Sequence, residues 1–200
     1  MENDYLGILG LSPSDDLNFS IINKKCTILK VKNKKNKQFC ELIDVILEYF
    51  QKNDVYSLMD RAQEILPRVY LGSAKLARNL EKLKGVGITH VISIANEFPA
   101  YFSEMTNKNA GLPDEKTIYI TKEWLDECMS FINTALEQNS NNRVLIHCQY
   151  GRTRSAIVAT YFIATSLKID INTAYEKLQA IRDVMIPDDI ISNLCTFSQY

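Results

Sequence analysis

Two consecutive segments near the C-terminus restrict this chain more than any other part of it. Arg143-Val-Leu-Ile-His147 has an apolar centre and follows the turn-like Asn139-Ser-Asn-Asn142, while Ser155 to Leu167 holds no charged residue. The first reads as a short buried strand. The second falls short of the roughly 20 apolar residues that a membrane span takes, so it reads as a helix buried in a protein interior. A buried strand running almost directly into a buried helix needs cover around both, and a helix-flanked sheet supplies it.

The flanking sequence repeats the alternation. Arg68 to Gly72 reads as a strand. Ser73 then caps a helix carrying Leu76, Leu80 and Leu83, which Gly85 and Gly87 stop. Thr89 to Ile94 reads as a buried strand and Thr121 to Gln138 as a helix with Leu125, Phe131, Ile132 and Leu136 inward. Asn172 to Asp183 is a further helix, and Pro187-Asp188 opens the last one. Residues 95–120 show no clear period. The predicted fold class is α/β, a mostly parallel central sheet flanked by helices, over residues 63–200. Residues 1–62 read as an N-terminal extension. It holds a short strand over Cys26-Thr-Ile-Leu-Lys-Val-Lys32 and an amphipathic helix over Gln38 to Gln51, with Phe39, Leu42, Ile43, Ile46 and Phe50 on one stripe. That stripe has to be buried, which favours a packing role for the extension.

Composition excludes several classes. At 46% apolar and 24% charged residues the chain is globular rather than disordered. A formal net charge of −1 does not suit an electrostatic nucleic-acid binder. The start, MENDYLGILG, lacks the basic and apolar parts of a leader, so a cytoplasmic location is expected, with the nucleus left open. Cys26, Cys40, Cys128, Cys148 and Cys195 form no CxxC pair, and His90 and His147 are the only histidines. No metal site or cofactor is expected from them. The crowded Lys30, Lys32, Lys34, Lys35 and Lys37 read as a solvated loop, with an anionic lipid surface or an acidic docking partner as the functional alternative.

The chemistry concentrates at the strand-to-helix junction, His147-Cys148-Gln-Tyr-Gly151-Arg-Thr-Arg154-Ser155. The residues between Cys148 and Arg154 suffice for a tight loop around one tetrahedral anion. Gly151 allows a positive φ in that loop. Loop N–H groups without strand or helix partners can point at phosphate oxygens, and the following helix aims its positive end at the same point. Arg154 adds a planar fork. In this field the Cys148 thiol should ionise well below its free value of roughly 8.5 and act as a nucleophile. His147 reads either as a group holding the loop by hydrogen bonds or as packing.

The pattern His147-Cys148-x5-Arg154-Ser155 resembles the signature of cysteine-dependent protein tyrosine phosphatases, and Ser155 resembles the dual-specificity branch. Ile65-Leu-Pro-Arg-Val-Tyr-Leu-Gly-Ser73 and Ile88-Thr-His-Val-Ile-Ser-Ile-Ala-Asn96 look like two core strands of that branch. Phe131 to Leu136 with Arg143 to Cys148, and Arg182 to Pro187, are similar to later parts of it. The resemblance covers residues 63–200. It implies Cys148 as nucleophile and Arg154 as transition-state clamp. Gln149, Tyr150, Gly151, Arg152 and Thr153 would supply phosphate-binding amides, and Ser155 a hydrogen bond to the sulfur. It also implies a phosphorylated protein as substrate, with hydrolysis of phosphotyrosine and phosphoserine/threonine through a phosphocysteine.

The family's general acid falls, in this register, at Asp114, with Glu115 as the alternative. A competing register makes Thr117-Ile-Tyr-Ile-Thr121 the preceding strand and Glu123 or Asp126 the acid, and a chain with no acid at all is a third possibility. Arg152 departs from the commonest pattern by adding a cation at the pocket rim. That keeps a phosphoinositide or phospholipid phosphatase open as an alternative. A non-catalytic phosphate-binding module is the other. The same low-pKa thiolate would be prone to oxidation.

Overall fold

A computed structural model describes residues 2–11, 19–53, 61–99, 102–113 and 118–198. The chain divides into two compact units, Met1–Leu58 and Met59–Tyr200.

The first unit contains α1 (Glu2–Ile8), α2 (Phe19–Lys32) and α3 (Lys37–Asn53). Ile22 and Cys26 on α2, and Ile43, Ile46 and Phe50 on α3, are buried together with Leu6 and Leu9. Tyr5, Tyr49 and Phe50 meet edge to face, with centroids 5.2 to 6.4 Å apart. Gln38 to Gln51 is helical as expected. The expected strand Cys26 to Lys32 is instead the second half of α2. Thr27, Ile28 and Val31 have strand-like side chains, but Ile22 and Cys26 are one helical turn apart and both face inward, and that burial outweighs local preference. The lysine run is partly paired within the unit, Lys30 with Asp44 and Lys37 with Glu41.

The second unit is built on a five-stranded sheet. Its strands are β1 (Gln63–Leu66), β2 (Val69–Ser73), β3 (His90–Ala95), β4 (Thr106–Leu112) and β5 (Val144–Cys148), in the order β1-β2-β5-β3-β4. β1 joins β2 antiparallel, and the other pairs are parallel. The helices are α4 (Ala74–Ala77), α5 (Leu80–Val86), α6 (Lys122–Gln138), α7 (Arg154–Leu167), α8 (Ile171–Ile181) and α9 (Asp188–Phe197).

Strand alternation sends side chains to two layers. Val69, Leu71, Ile92, Ile94, Val144 and Ile146 face a core shared with α6, α7, α8 and α9. Tyr70, Val91 and Leu145 face the other side, against Leu76 and Leu83 of α4 and α5. β5 lies between β2 and β3, so both of its edges and both of its faces are covered. From Arg154 to Ala164 every residue of α7 is buried, which explains why no charged residue follows Arg154 in that helix. Ser73 caps α4 and Thr121 caps α6 through their hydroxyls, and Gly87 ends α5 at φ 81°.

Two further expectations change. The segment before α6 is not a strand: Ile118 to Thr121 is irregular, and the edge strand is Thr106–Leu112, a polar TNKNAGL held by parallel pairing to β3. The helix expected to reach Asp183 ends at Ile181. Arg182 is extended, at φ −145° and ψ 142°, and its side chain bonds the carbonyls of Tyr150 and Gly151.

Candidate active site

The loop from Cys148 to Arg154 starts where β5 ends, at the carboxyl edge of the parallel strands, where open α/β folds place their ligand sites. Cys148 is the last residue of β5 and Arg154 the first of α7. Both are buried, at 3% and 4% exposure.

Six consecutive carbonyls, from Cys148 to Thr153, are taken up from outside the loop. His147 Nδ1–H donates to Cys148 O at 3.3 Å. Ala74 N–H, the first of α4, donates to Gln149 O at 3.0 Å. Arg182 donates from Nη2 to Tyr150 O at 3.0 Å and from Nε to Gly151 O at 2.8 Å. Met185 N–H reaches Arg152 O, and Ile157 N–H reaches Thr153 O, both at 3.0 Å. In a planar trans peptide the N–H of the next residue points opposite to the carbonyl. Outward carbonyls therefore turn the amides of Gln149 to Arg154 toward the loop's hollow, a nest for an anion.

Gly151 is at φ 70°, and a Cβ there would lie 2.3 Å from Gly72 O. The position requires glycine on both counts. Thr153, at the N-cap of α7, makes no capping bond from its side chain, so the first-turn N–H groups stay directed at the hollow.

The Cys148 sulfur faces this array. Ser155 Oγ–H donates to it at 3.2 Å and Gly151 N–H at 3.3 Å. Burial works against the thiolate, but the Ser155 hydroxyl and N–H, the Arg154 charge and the Gly151 N–H outweigh it and hold the thiol below its ordinary range. His147 behaves differently. Burial drives its pKa down to about 4, with only partial opposition from its bond to Cys148 O. Its contact ties the buried ring to the first carbonyl of the loop.

Glu97 was not singled out from sequence. It follows β3 and grips Arg154 with both oxygens, Oε1 to Nη2 at 2.6 Å and Oε2 to Nη1 at 2.9 Å. Arg154 Nη1 also donates to Leu112 O, at the end of β4, at 3.2 Å. Burial opposes the ionised Glu97, yet the Arg154 bonds and charge hold its carboxyl below the usual range. Its only sequence signal is position, an acid just past a buried strand.

Arg152 pairs with Asp183 Oδ2 at 2.9 Å. Asp114 and Glu115 lie outside the described residues. Glu123 is exposed in the first turn of α6, and Asp126 pairs with Lys122 at 2.7 Å one turn on. Trp124 Nε1–H ties α6 to β4 through Ala110 O at 3.1 Å. Among the described residues no group of His, Cys, Asp and Glu could hold a metal ion, and no helix is long and apolar enough to cross a membrane.

The junction thus holds a buried thiol at the end of a parallel strand, ringed by amides and followed by an arginine held by Glu97. The family model of the dual specificity phosphatase catalytic domain matches residues 69–200, and the chain belongs to that family. It is 32% identical over 126 residues to Dual specificity protein phosphatase 2 of Mus musculus, covering 62% of this chain and 39% of that protein. It is 32% identical over 135 residues to Protein phosphatase Slingshot homolog of Xenopus laevis, covering 67% and 19%. The chain thus spans between about a fifth and two fifths of these relatives. The crystal structure of DUSP15 superposes with a TM-score of 0.59 at 25% identity, covering 67% of this chain and 84% of that one.

Proposed function

We propose that this protein is a dual-specificity protein phosphatase, removing phosphate from phosphotyrosine and phosphoserine/threonine in proteins through a phosphocysteine on Cys148. Residues 63–200 form the catalytic domain and residues 1–62 its extension. The supporting observation is the loop whose six carbonyls are held outward around a sulfur that accepts bonds from Ser155 and Gly151.

In the first step the Cys148 thiolate attacks phosphorus. The S–P bond forms, the ester P–O bond breaks, and Asp114 gives its proton to the leaving oxygen. The loop amides and Arg154 receive the charge on the remaining oxygens. In the second step water attacks phosphorus and passes a proton to Asp114. The S–P bond breaks, and the departing thiolate is received by the Ser155 hydroxyl. Asp114 fits because it follows β4 directly, in the register that a strand over Thr106–Leu112 sets.

The phosphoinositide alternative rests on Arg152 as an extra cation at the pocket rim and on the lysine run Lys30 to Lys37. Arg152 is paired with Asp183, and Lys30 and Lys37 with Asp44 and Glu41, which weakens both grounds and favours the protein substrate. Hydrolysis of p-nitrophenyl phosphate and of phosphopeptides tests the proposal. Turnover by the wild-type chain and none by Cys148→Ser is expected. Turnover surviving Cys148→Ser overturns it. Phosphate binding without turnover would instead make the chain a phosphate-binding module.

A further inference from the structure

We infer that Arg182 is a positioning residue of the active site, aiming two peptide planes of the nucleophile loop from behind. The inference rests on the phosphatase reading for its purpose, though not for its geometry.

Two peptide units receive the Arg182 fork. One joins Tyr150 to Gly151: Arg182 Nη2 holds its carbonyl at 3.0 Å, and its N–H, on the opposite side, donates to Cys148 Sγ at 3.3 Å. The other joins Gly151 to Arg152: Arg182 Nε holds its carbonyl at 2.8 Å, which turns the Arg152 N–H toward the hollow. Gly151 has no side chain to restrain either plane. The loop's most permissive residue is therefore where the guanidinium acts, and a charged donor polarises each plane it holds.

The fork is itself anchored. Nη1 bonds Gln63 Oε1, and Gln63 Nε2 donates to Ile181 O at 3.0 Å, the last carbonyl of α8. Arg182 is 2% exposed. Burial lowers its pKa to about 10, with Cys148 and Asp183 opposing and Arg152 assisting, so it remains a cation at neutral pH. The helix ends at Ile181, and Arg182 follows it in an extended conformation.

Lysine carries the same charge with one compact ammonium and cannot hold two carbonyls in fixed planes. Arg182→Met and Arg182→Lys therefore distinguish aiming from charge. The readout is the rate of iodoacetamide alkylation at Cys148 against pH, followed by peptide mass spectrometry on the full chain. It does not require turnover, so a failure of the phosphatase reading leaves it intact. We expect the midpoint to rise by about one pH unit in both variants, and kcat/KM for p-nitrophenyl phosphate to fall by about tenfold or more, with far-UV circular dichroism unchanged. If Arg182→Met does not fold, Arg182→Lys and Gln63→Ala carry the test, the latter with a smaller rise. An unmoved midpoint in the folded variants overturns the inference. Full recovery of the midpoint by Arg182→Lys also overturns it, since charge alone would then suffice.

Discussion

Glu97 and Arg154 form a two-pronged ion pair, with contacts of 2.6 and 2.9 Å, between the end of β3 and the start of α7. The pair fixes the plane of the guanidinium before any substrate is present; under the proposed mechanism the guanidinium then need not reorganise as charge develops on phosphate oxygens. The two residues lie beyond the carboxyl ends of neighbouring parallel strands, β3 and β5.

Glu97→Gln should keep the shape and lose the charge. We expect kcat/KM to fall on the order of tenfold to a hundredfold through misplacement of Arg154. The pH dependence has a definite sign. The folded pKa of Glu97 lies below the unfolded value of about 4.3. Its stabilising contribution is therefore complete above pH about 4.3 and is lost as pH falls through the lower folded value. Thermal melts of wild type and Glu97→Gln should differ at pH 7 and converge in strong acid. A gap that widens on acidification would contradict this.

Ser155→Ala deletes the hydroxyl 3.2 Å from the sulfur. Burial then prevails more, the thiol pKa rises, and the acid limb of the kcat/KM profile moves to higher pH. The second step also loses the group that receives the departing thiolate. Stopped-flow traces should show a burst of phenol followed by a slower steady state, and a trace without a burst counts against that role.

Gly151→Ala places a methyl 2.3 Å from Gly72 O at φ 70°. The left-handed conformation alone costs roughly 1–2 kcal/mol for an alanine. In a chain of this size that corresponds to a fall in Tm of about 2–8 °C, and the contact with backbone adds to it. Calorimetry measures the fall, and phosphatase assays should show activity lost even at temperatures where the variant is folded.

Asp114→Ala should reduce turnover of a phosphopeptide by roughly 10²–10⁴-fold. The loss should be smaller for p-nitrophenyl phosphate, whose leaving group needs less help. Glu123→Ala should match wild type, since Glu123 is exposed on α6. The reverse result would move the acid to Glu123, and loss in Glu115→Ala would move it there.

Much of the site was legible because it is local. Cys148, Gly151, Arg154 and Ser155 sit within one strand-loop-helix junction, and their spacing alone specifies a nest followed by a helix N-terminus. Three of the five strands, β2, β3 and β5, were legible for a similar reason, since short apolar runs bounded by turns and helices of period 3.6 leave direct marks. Residues 26–32 were misread because β-branched side chains suit both a strand and a helix whose buried face is set elsewhere. β4 escaped because TNKNAGL has no apolar pattern, and its pairing to β3 is through the backbone.

From its sequence, then, the chain specified a thiol, an arginine and a hollow for an anion, because those groups are neighbours along the backbone. Only the tertiary structure decided what holds them. Glu97 on Arg154, Ala74 on Gln149, and Arg182 with Gln63 behind Gly151 are all contacts between residues far apart in the chain. A single hydrogen bond or ion pair across such a distance leaves no periodic trace in sequence. Parallel strand order brings Ala74, Glu97 and the Cys148 loop to one edge of the sheet, while Gln63 comes from the antiparallel β1 and Arg182 from the end of α8.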